Sequence, residues 1–475
     1  MASSWGQGKR SSGRGRLLAW AAAGLLLPGT GLAQVAPPTL NAGPPTINYE
    51  CPSCEGRTRT WTALAEVGLV QVAVNWFGHY ILEDSSQAVT LKSWGDNLRE
   101  GWEFDDNHFS TNQFAHPYSG NINFNAARAN GHDYWTSIPF AALGSLIWEY
   151  FGEIHRPALN DYISTTVGGV ALGEMTWQLS NMVLDNTATG SSRFWKEMAG
   201  MGINPARGFN RLFFHDWSRI GPNPDTRTPE LMRGAMRVGA RLVDKGGGID
   251  RGELQPFIGF DFVHGDPFTQ PYSKPFDVFL FSAQVNAGDA KIIGRLTTYG
   301  RLYGKRLDSR PEPRHVLIVT QDYDYVNTFA YRVGGQSVNL GVLSRYQLNP
   351  RFRLATSARA QAIILGAVNS EFVDGPKRDY DFGPGMGLAL GGLVSHDDDD
   401  VARIGYRLQW IHNVNGLAGD HILQEFTTDV AVPVSRTLAL GGQVLYYHRH
   451  SAYRSEPTVS DDTPQFQFYL RWRLQ

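Results

Sequence analysis

Apolar and polar side chains alternate through the second half of the chain with the period of two that is typical of β-strands. From about Gly234 to the end, segments roughly ten residues long alternate in this way and are separated by Gly, Pro, Asn and Asp turns. In the last segment one face carries Phe466, Phe468, Leu470, Trp472 and Leu474. We count about twelve such segments, an even number of the kind that closes a bacterial outer-membrane barrel.

The polar faces of these segments favour a membrane barrel over a soluble β-sandwich, which would also alternate. Arginine recurs on them, as expected for a wet lumen inside an apolar wall. These arginines are Arg237, Arg241, Arg295, Arg301, Arg353, Arg359, Arg403, Arg407, Arg471 and Arg473. Tyr303 is assigned to the same polar face as Arg301. Short and long connections alternate near the end of the chain, but the connection from Gly265 to Pro275 is long where the rhythm requires a short one.

Residues 60–230 carry helical periodicity instead. Pro117 and Gly131 are typical of the start and the end of a helix, and they predict one from Pro117 to Asn130. Other helices are predicted in "TWTALAEVGLVQVAVNWFG", "YWTSIPFAALGSLIWEYFGE", "SRFWKEMAGMG" and "NPARGFNRLFF". None is a clean bilayer-spanning helix, so we expect this region to plug the barrel lumen or cap its periplasmic mouth.

A further helix is predicted to open at Pro157. Gly169, Gly173 and Trp177 follow within it at the spacing i, i+4, i+8, which places them on one face. The two glycines would let a neighbouring backbone approach closely. The predicted fold class is therefore α+β, with an N-terminal helical region followed by an antiparallel transmembrane β-barrel of about twelve strands.

The first 33 residues have the pattern of a cleavable export signal. A basic stretch from Lys9 to Arg16 precedes the apolar run "LLAWAAAGLLL", and "GLA" before Gln34 offers a small-residue cleavage site. The apolar run is too short to span a bilayer. We expect cleavage near Ala33, passage through the barrel assembly machinery and a final location among outer-membrane lipids. The net charge of −2, from 43 Lys and Arg against 45 Asp and Glu, indicates no nucleic-acid partner.

Residues 34–59 are predicted to form a linker that contains the only two cysteines, Cys51 and Cys54, in "CPSC". Glu55 follows instead of histidine, which argues against haem attachment, and no second pair completes a zinc ribbon. In an oxidising compartment a local disulfide is favoured, and a thioredoxin-like redox pair is the alternative. No cofactor is predicted.

Polar side chains are unusually dense between Asn112 and Gly131, and the following helices carry carboxylates on apolar surfaces. A buried carboxylate is costly unless it is paired, so we predict that Arg128 pairs with Glu149 or Glu153. The favoured interpretation is a structural polar network between helices. Its predicted members are Asn121, Asn125, Arg128, Glu149, Glu153, Asp161 and Glu174.

The same region supports a catalytic hypothesis. His116 would act as general base, Ser119 or Ser145 as nucleophile, and Glu149 or Asp161 would orient the imidazole, as in a lipid-modifying hydrolase or acyltransferase. No G-x-S-x-G or H-E-x-x-H motif accompanies these residues. Asp105 to His108 are interpreted as a solvated loop, the run from His396 to Asp400 as a charged turn, and no metal site is predicted.

Four motifs in the helical region resemble the signature of a bacterial family of domains of unknown function, DUF3943. They are "HPYSGNINFNAARANG", "GSLIWEYFGE", the pair Asn160 and Asp161, and "GGVALGE" from Gly168 to Glu174, within a resemblance from roughly Trp94 to Asp185. The resemblance implies an exported envelope protein with a helical N-terminal region and a β-rich remainder, and the family has no agreed activity. The predicted function is a non-enzymatic envelope role, as a gated pore or a scaffold that binds lipid or a partner.

Overall fold

The computed structural model describes residues 50–229, 231–244, 252–287, 292–309, 312–328, 331–372, 378–397 and 399–474. The predicted signal peptide, residues 1–33, and the first part of the predicted linker lie outside these residues. We call residues 50–229 the helical domain. It belongs to the same folded unit as the strands that follow it.

Twelve antiparallel strands form a closed barrel in which each strand pairs with its neighbours in the sequence and β1 pairs with β12. The strands are β1 (Met232–Val243), β2 (Glu253–His264), β3 (Phe279–Asn286), β4 (Ile293–Arg306), β5 (Arg314–Asn327), β6 (Arg332–Gln347), β7 (Phe352–Asn369), β8 (Tyr380–His396), β9 (Asp399–His412), β10 (Gly419–Pro433), β11 (Leu438–Tyr453) and β12 (Val459–Leu474). The predicted fold class and strand number are confirmed.

Ion pairs across the barrel identify the face of each strand that lines the lumen. Arg295 on β4 pairs with Glu425 on β10 at 3.3 Å, and Arg407 on β9 pairs with Asp324 on β5 at 3.2 Å. Neither pair joins neighbouring strands, so both cross the interior. Asp324, Arg407 and Glu425 line a cavity of about 20 Å³, which has room for about one water molecule. The arginine-bearing faces therefore line the lumen, as predicted for Arg295 and Arg407.

Alternate residues on the same strands face outward. On β12 the predicted apolar face is the outer one, and Phe468, Leu470 and Trp472 are 67%, 50% and 55% exposed. The assignment of Tyr303 to the polar face is wrong. A β-bulge between Arg301 and Tyr303 shifts the register, so Tyr303 pairs with Val319 and is 44% exposed on the outer wall.

Eight α-helices form the helical domain. They are α1 (Thr60–Tyr80), α2 (Leu91–Glu100), α3 (His116–Ala129), α4 (Tyr134–Ile147), α5 (Leu159–Ile163), α6 (Gly169–Val183), α7 (Gly190–Ile203) and α8 (Pro205–Phe213). Three π-helical turns interrupt or extend them at Thr111–Ala115, Trp148–Gly152 and Ser164–Gly168. Among the described residues, no helix has the length and apolar character needed to cross a bilayer.

The helices pack against the outer wall of the barrel. Phe262, Phe281, Thr298, Tyr323, Gln336 and Leu365 are successive cross-strand partners and so form one row across β2–β7 on a single face. Tyr323 lies between Asp322 and Asp324, whose side chains point into the lumen toward Arg359 and Arg407. The row therefore faces outward, and helix residues bury it: the Tyr323 hydroxyl donates to the carbonyl of Gln113.

Further contacts extend this docking surface. The Gln321 amide donates to the carbonyl of Val167 at 2.8 Å, and the Phe109 ring lies 5.7 Å from the Tyr325 ring. Gln321 and Tyr325 are on the same outward face as Tyr323, because they lie two residues from it along the strand. These helix–strand contacts differ from the expected plug or periplasmic cap. Periodicity alone predicts which strand face is apolar, but it does not distinguish contact with lipid from contact with helices.

The predicted alternation of short and long connections fails at the long connection between β2 and β3. Its Asp266 pairs with Arg345 on β6 at 2.8 Å, and Asp277 pairs with Arg301 on β4 at 2.8 Å. Both arginines project from the lumen-lining faces of their strands. The same connection reaches the helical domain, since Lys274 pairs with Glu50 at 2.6 Å. The connection is therefore held over the barrel rim by ion pairs on two sides.

Candidate functional site

The helical domain buries many polar side chains beside its apolar core, and two of them are a pair of charged residues. Arg128 on α3 donates from Nε and Nη2 to the two carboxylate oxygens of Glu174 on α6, at 2.8 and 3.0 Å. Arg128 is 6% exposed and Glu174 is 1% exposed. Glu50 lies 3.5 Å from Arg128, and the guanidinium stacks over the Trp177 ring at 4.7 Å. Arg128 and Glu174 therefore form a buried, bidentate ion pair.

The predicted pairing of Arg128 with Glu149 or Glu153 is wrong, because α6 and not α4 presents its carboxylate to Arg128. The predicted asparagine stripe lies in the same interior. Asn125 donates to Asn121 Oδ1 at 2.7 Å and to the carbonyl of Gly173 at 3.0 Å. The polar stripe of α3 therefore pairs with polar groups of α6. Sequence spacing alone had left several carboxylates as partners for Arg128.

A second polar cluster lies between the starts of α3 and α5 and the end of α4. His116, Glu149 and Asp161 each contribute one atom, and these three atoms lie within 4.8 Å of one another. His116 Nε2 is 3.2 Å from Asp161 Oδ2. The side chains of His116 and Asp161 are 13% and 2% exposed, and Glu149 is fully buried. We call these three residues the His116 cluster.

All three π-helical turns adjoin the His116 cluster. Thr111–Ala115 ends immediately before His116, Trp148–Gly152 contains Glu149, and Ser164–Gly168 begins three residues after Asp161. A π turn inserts an extra residue into the helix, which rotates the side chains that follow it, and such turns are frequent at functional sites. Pro117 at the first turn of α3 then fixes the helix start next to His116.

Hydrogen bonds hold one polar atom of each cluster member. The amide of Ala158 donates to Glu149 Oε2 at 2.8 Å, and Asn160 Nδ2 donates to Asp161 Oδ1 at 2.7 Å. His116 Nδ1 lies 3.3 Å from Thr165 Oγ1. Of the remaining atoms, His116 Nε2 and Asp161 Oδ2 face each other, and Glu149 Oε1 has no hydrogen-bond partner among the described residues.

Asp105 lies at the edge of the His116 cluster rather than in a solvated loop, which corrects its interpretation from the sequence. Its Oδ1 accepts from Asn112 at 2.6 Å and from Asn160 at 2.7 Å. Arg378 of the barrel reaches only the backbone carbonyl of Asp105, at 3.0 Å. Contiguous polar residues in the sequence gave no sign that Asp105 alone turns inward.

The electrostatics of the cluster follow from burial among carboxylates. Burial raises the pKa of Glu149 to about 8, and the nearby Asp105 carboxylate adds to the rise. Burial also raises the pKa of Asp161 well above its usual range, and it lowers the pKa of His116. Within the described part of the chain, no Lys or Arg side chain forms an ion pair with Glu149 or Asp161. A bound cation would lower the raised pKa values of the two carboxyl groups and would favour the neutral form of the imidazole.

Neither serine of the catalytic hypothesis is aligned with His116 by a hydrogen bond among the described residues. Ser119 is half-buried on α3, and Ser145 is buried on α4 with an Oγ that has no partner in the described residues. Neither serine forms a hydrogen bond with His116 there, although Asp161 is placed to orient the imidazole. The arrangement thus contains a histidine–carboxylate pair without an aligned hydroxyl nucleophile. Glu153 follows the π turn in extended backbone, and its carbonyl accepts from Asn97 at 3.0 Å.

The cysteines form a disulfide, Cys51–Cys54, at the edge of the helical domain. Cys51 and Cys54 are 3% and 4% exposed. They pack beneath the C-terminal end of α3, where a side chain on Gly131 would lie 3.2 Å from Cys54 Sγ. Gly131 also has a left-handed φ of +87°, a backbone conformation that favours glycine at the end of a helix.

Residues 101–206 match the family described as "Domain of unknown function (DUF3943)". The match confirms the resemblance that the sequence motifs indicated. It covers α3, α4, α5 and α6, and so contains both the Arg128–Glu174 pair and the His116 cluster. A search of curated proteins finds no match to the chain.

Solved structures of bacterial outer-membrane channels are similar to the barrel at low TM-scores. A KdgM porin in complex with disordered oligogalacturonate has a TM-score of 0.24 and 7% identity, covering 51% of this chain and 99% of the porin. A NanC porin has a TM-score of 0.27 and 8% identity, and the match covers 49% of this chain and 98% of the porin. The outer-membrane channel DcaP of Acinetobacter baumannii has a TM-score of 0.23 and 7% identity, and the match covers 51% of this chain and 96% of the channel. The fold assignment accordingly rests on the strand pairing itself.

Proposed function

We propose that this chain is an outer-membrane β-barrel that acts as a scaffold, holding the helical domain against its outer wall. The observation that carries the proposal is the outward-facing row from Phe262 to Leu365, which is buried by helices where a porin strand would meet lipid. A scaffold role needs a docking surface of this kind. A solute pore does not.

The architecture supports the proposed location in the outer membrane. A closed barrel with an even number of antiparallel strands and an apolar outer wall is the form in which bacterial proteins cross the outer membrane. The exposed outer residues of β1, β8, β10 and β12 are mostly aliphatic or aromatic. Export by the predicted signal peptide and insertion by the barrel assembly machinery remain part of this proposal, with outer-membrane lipids as the surrounding partner.

The surface of the helical domain supports a position in contact with lipid. On α1, Trp61, Val72, Trp76 and Tyr80 are 84%, 66%, 54% and 65% exposed. The only Asp, Glu, Lys or Arg of α1 is Glu66, which points inward and accepts hydrogen bonds from Asn130 and Asn210 at 3.0 and 2.8 Å. On α1, an exposed apolar surface whose one charged side chain turns inward suits a hydrocarbon surrounding.

The lumen favours the scaffold over a wide pore. Arg295 and Arg407 meet carboxylates from the opposite wall, and a cavity lined by Arg407, Asp324 and Glu425 has room for about one water molecule. At one rim the connection between β2 and β3 is tied to Arg301 and Arg345. Side chains that cross the barrel in this way obstruct the passage of hydrated solutes.

The alternative function is a lipid-modifying enzyme that uses the His116 region. The 3.2 Å contact between His116 and Asp161 favours it, since a carboxylate that orients a histidine is one element of a general base. The absence of a hydrogen bond from Ser119 or Ser145 to His116 in the described chain argues against an acyl-enzyme route. Cells that carry His116→Ala and retain the wild-type lipid profile would exclude it.

Fractionation and conductance test the proposal together. We expect the mature chain as a heat-modifiable band in the outer-membrane fraction, and the purified protein in planar bilayers should give no steady, large channel. Arg407→Ala removes the side chain that contacts both Asp324 and the Tyr299 hydroxyl, so it should raise conductance and show that the assay detects an opened lumen. Intact wild-type chain in the soluble periplasm would contradict the barrel, and a steady, large wild-type channel would contradict the scaffold.

A further inference from the structure

We propose that the His116 cluster binds one divalent transition-metal ion through His116 Nε2, Glu149 and Asp161. The three candidate ligand atoms lie within 4.8 Å of one another, and His116 Nε2 is 3.2 Å from Asp161 Oδ2. Two ligand atoms bound to one tetrahedral ion at about 2.1 Å lie roughly 3.4 Å apart. The His116–Asp161 separation already fits, and a modest movement of Glu149 completes the set.

An unpartnered buried atom is the second observation that points to a ligand. Glu149 is fully buried, and its Oε1 has no hydrogen-bond partner in the residues that the structure describes. Its other oxygen accepts a hydrogen bond from the amide of Ala158 at 2.8 Å, so Oε1 is the oxygen that remains for a ligand. Glu149 is one of the three residues whose candidate ligand atoms lie within 4.8 Å of one another. A buried carboxylate oxygen with no partner is costly, and a bound ion is one of the few groups that removes the cost.

The hydrogen bonds around the cluster orient each ligand atom. Thr165 Oγ1 lies 3.3 Å from His116 Nδ1 and can accept a hydrogen from it, which would leave the Nε2 lone pair for the ion. Asn160 occupies Asp161 Oδ1 at 2.7 Å, which leaves Oδ2 available. Supporting bonds to the non-ligating atoms of histidine and carboxylate ligands are the usual companions of a metal site.

The donor set indicates which ion binds. One imidazole nitrogen suits Zn²⁺, and carboxylates alone would suit Mg²⁺ or Ca²⁺, so a mixed set favours Zn²⁺ or Mn²⁺ over Mg²⁺. Three protein ligands leave a coordination position for water, the pattern of a zinc site open to exchange. Among the three ligands His116 is the most exposed, at 13%.

The test uses the full-length protein, purified in detergent, stripped of metal with a chelator and titrated with Zn²⁺, Mn²⁺ and Mg²⁺ by calorimetry. We expect one Zn²⁺ per chain, weaker Mn²⁺ and much weaker Mg²⁺. Glu149→Gln keeps the shape of the side chain and should weaken Zn²⁺ at least about tenfold, as should His116→Ala and Asp161→Asn. Glu66→Gln, which alters a different carboxylate inside the helical domain, should leave the Zn²⁺ affinity unchanged.

Two results would overturn the site: wild-type protein that takes up no stoichiometric Zn²⁺, or Zn²⁺ binding that Glu149→Gln, His116→Ala and Asp161→Asn all leave intact. Should the variants fail to assemble, X-ray absorption on the zinc-loaded wild type decides the question. One imidazole with oxygen donors supports the His116 cluster. Sulfur donors, or no imidazole, contradict it.

Discussion

Individual residues of the helical domain show that its polar side chains hold the helices together from within. The Arg128–Glu174 pair is bidentate, and Gln178 adds a hydrogen bond to Glu174 Oε1 at 2.7 Å. The backbone carbonyl of His132 takes a further guanidinium donor at 2.9 Å. Because every charge in this group has partners, removing one member leaves another charge buried alone.

Arg128→Ala should therefore lower the free energy of unfolding by about 3 to 5 kcal/mol, since it strands the Glu174 carboxylate. Arg156→Ala is the matched control, because Arg156 is 41% exposed and its pairs with Glu100 and Glu103 are near the surface. We expect a loss of about 1 kcal/mol or less there. Urea unfolding in detergent or lipid, followed by heat modifiability, measures both.

Adding Glu174→Gln to Arg128→Ala should recover part of the loss, because the second change removes the stranded charge. Equal losses for Arg128→Ala and Arg156→Ala would show that the buried pair does not stabilise the helical domain. The sequence correctly indicated that Arg128 and the asparagines are interior residues. It did not indicate which carboxylate Arg128 meets, because that depends on how α3, α4 and α6 are arranged in space.

At the scale of elements, α3 and α6 are in unusually close contact. A side chain on Gly169 would lie 2.5 Å from Gly120 Cα, and one on Gly120 would lie 1.8 Å from the carbonyl oxygen of Thr165. The predicted close approach of a neighbouring backbone is thus confirmed at Gly169, whereas the neighbour of Gly173 is the side chain of Phe124. It brings the π turn before α6 against the start of α3, and with it Asp161 toward His116.

Gly120→Ala should destabilise the helical domain by roughly 1 to 3 kcal/mol or more, because the added methyl overlaps rigid backbone. Gly68→Ala on α1 is the control, since nothing lies within 4 Å of the position that its new side chain would take. Helix propensity should make that change neutral or stabilising by up to about 1 kcal/mol. Thermal gel-shift curves of the two variants give the comparison, and similar curves would contradict the close packing.

Elements with a regular period were predictable, and irregular ones were not. The alternation of Phe466 to Leu474 identified β12 and its outer face, and Pro117 with Gly131 bounded α3 to within a residue or two. The π turn at Trp148–Gly152 has no signature in the apolar pattern, so "YWTSIPFAALGSLIWEYFGE" was predicted as one continuous helix. The bulge at Tyr303 was missed for the same reason.

At the scale of the whole molecule, the barrel and the helices share one core. Phe109, Phe124 and Tyr134 of the helical domain belong to the same buried apolar cluster as Phe276 and Tyr323 of the barrel region. Lys274 adds an ion pair between the barrel rim and Glu50. The helical domain therefore packs onto the barrel through a shared core. Sequence patterns could not show this, because outward-facing strand positions are apolar whether they contact lipid or helices.

The most direct test of this account is disulfide cross-linking between the helical domain and β6 in assembled protein. A side chain on Gly334 would place its Cβ 3.2 Å from Gln113 Cβ, near the separation of about 3.5 to 4.5 Å that a disulfide needs. Gly334 pairs with Tyr325 on the outer face, whereas Ser337 pairs with Asp322 on the lumen face. Oxidised outer membranes should contain a cross-link in the variant with Gln113→Cys and Gly334→Cys, and none in the variant with Gln113→Cys and Ser337→Cys. A cross-link through Ser337→Cys, or none through Gly334→Cys in a heat-modifiable barrel, would contradict docking on the outer wall.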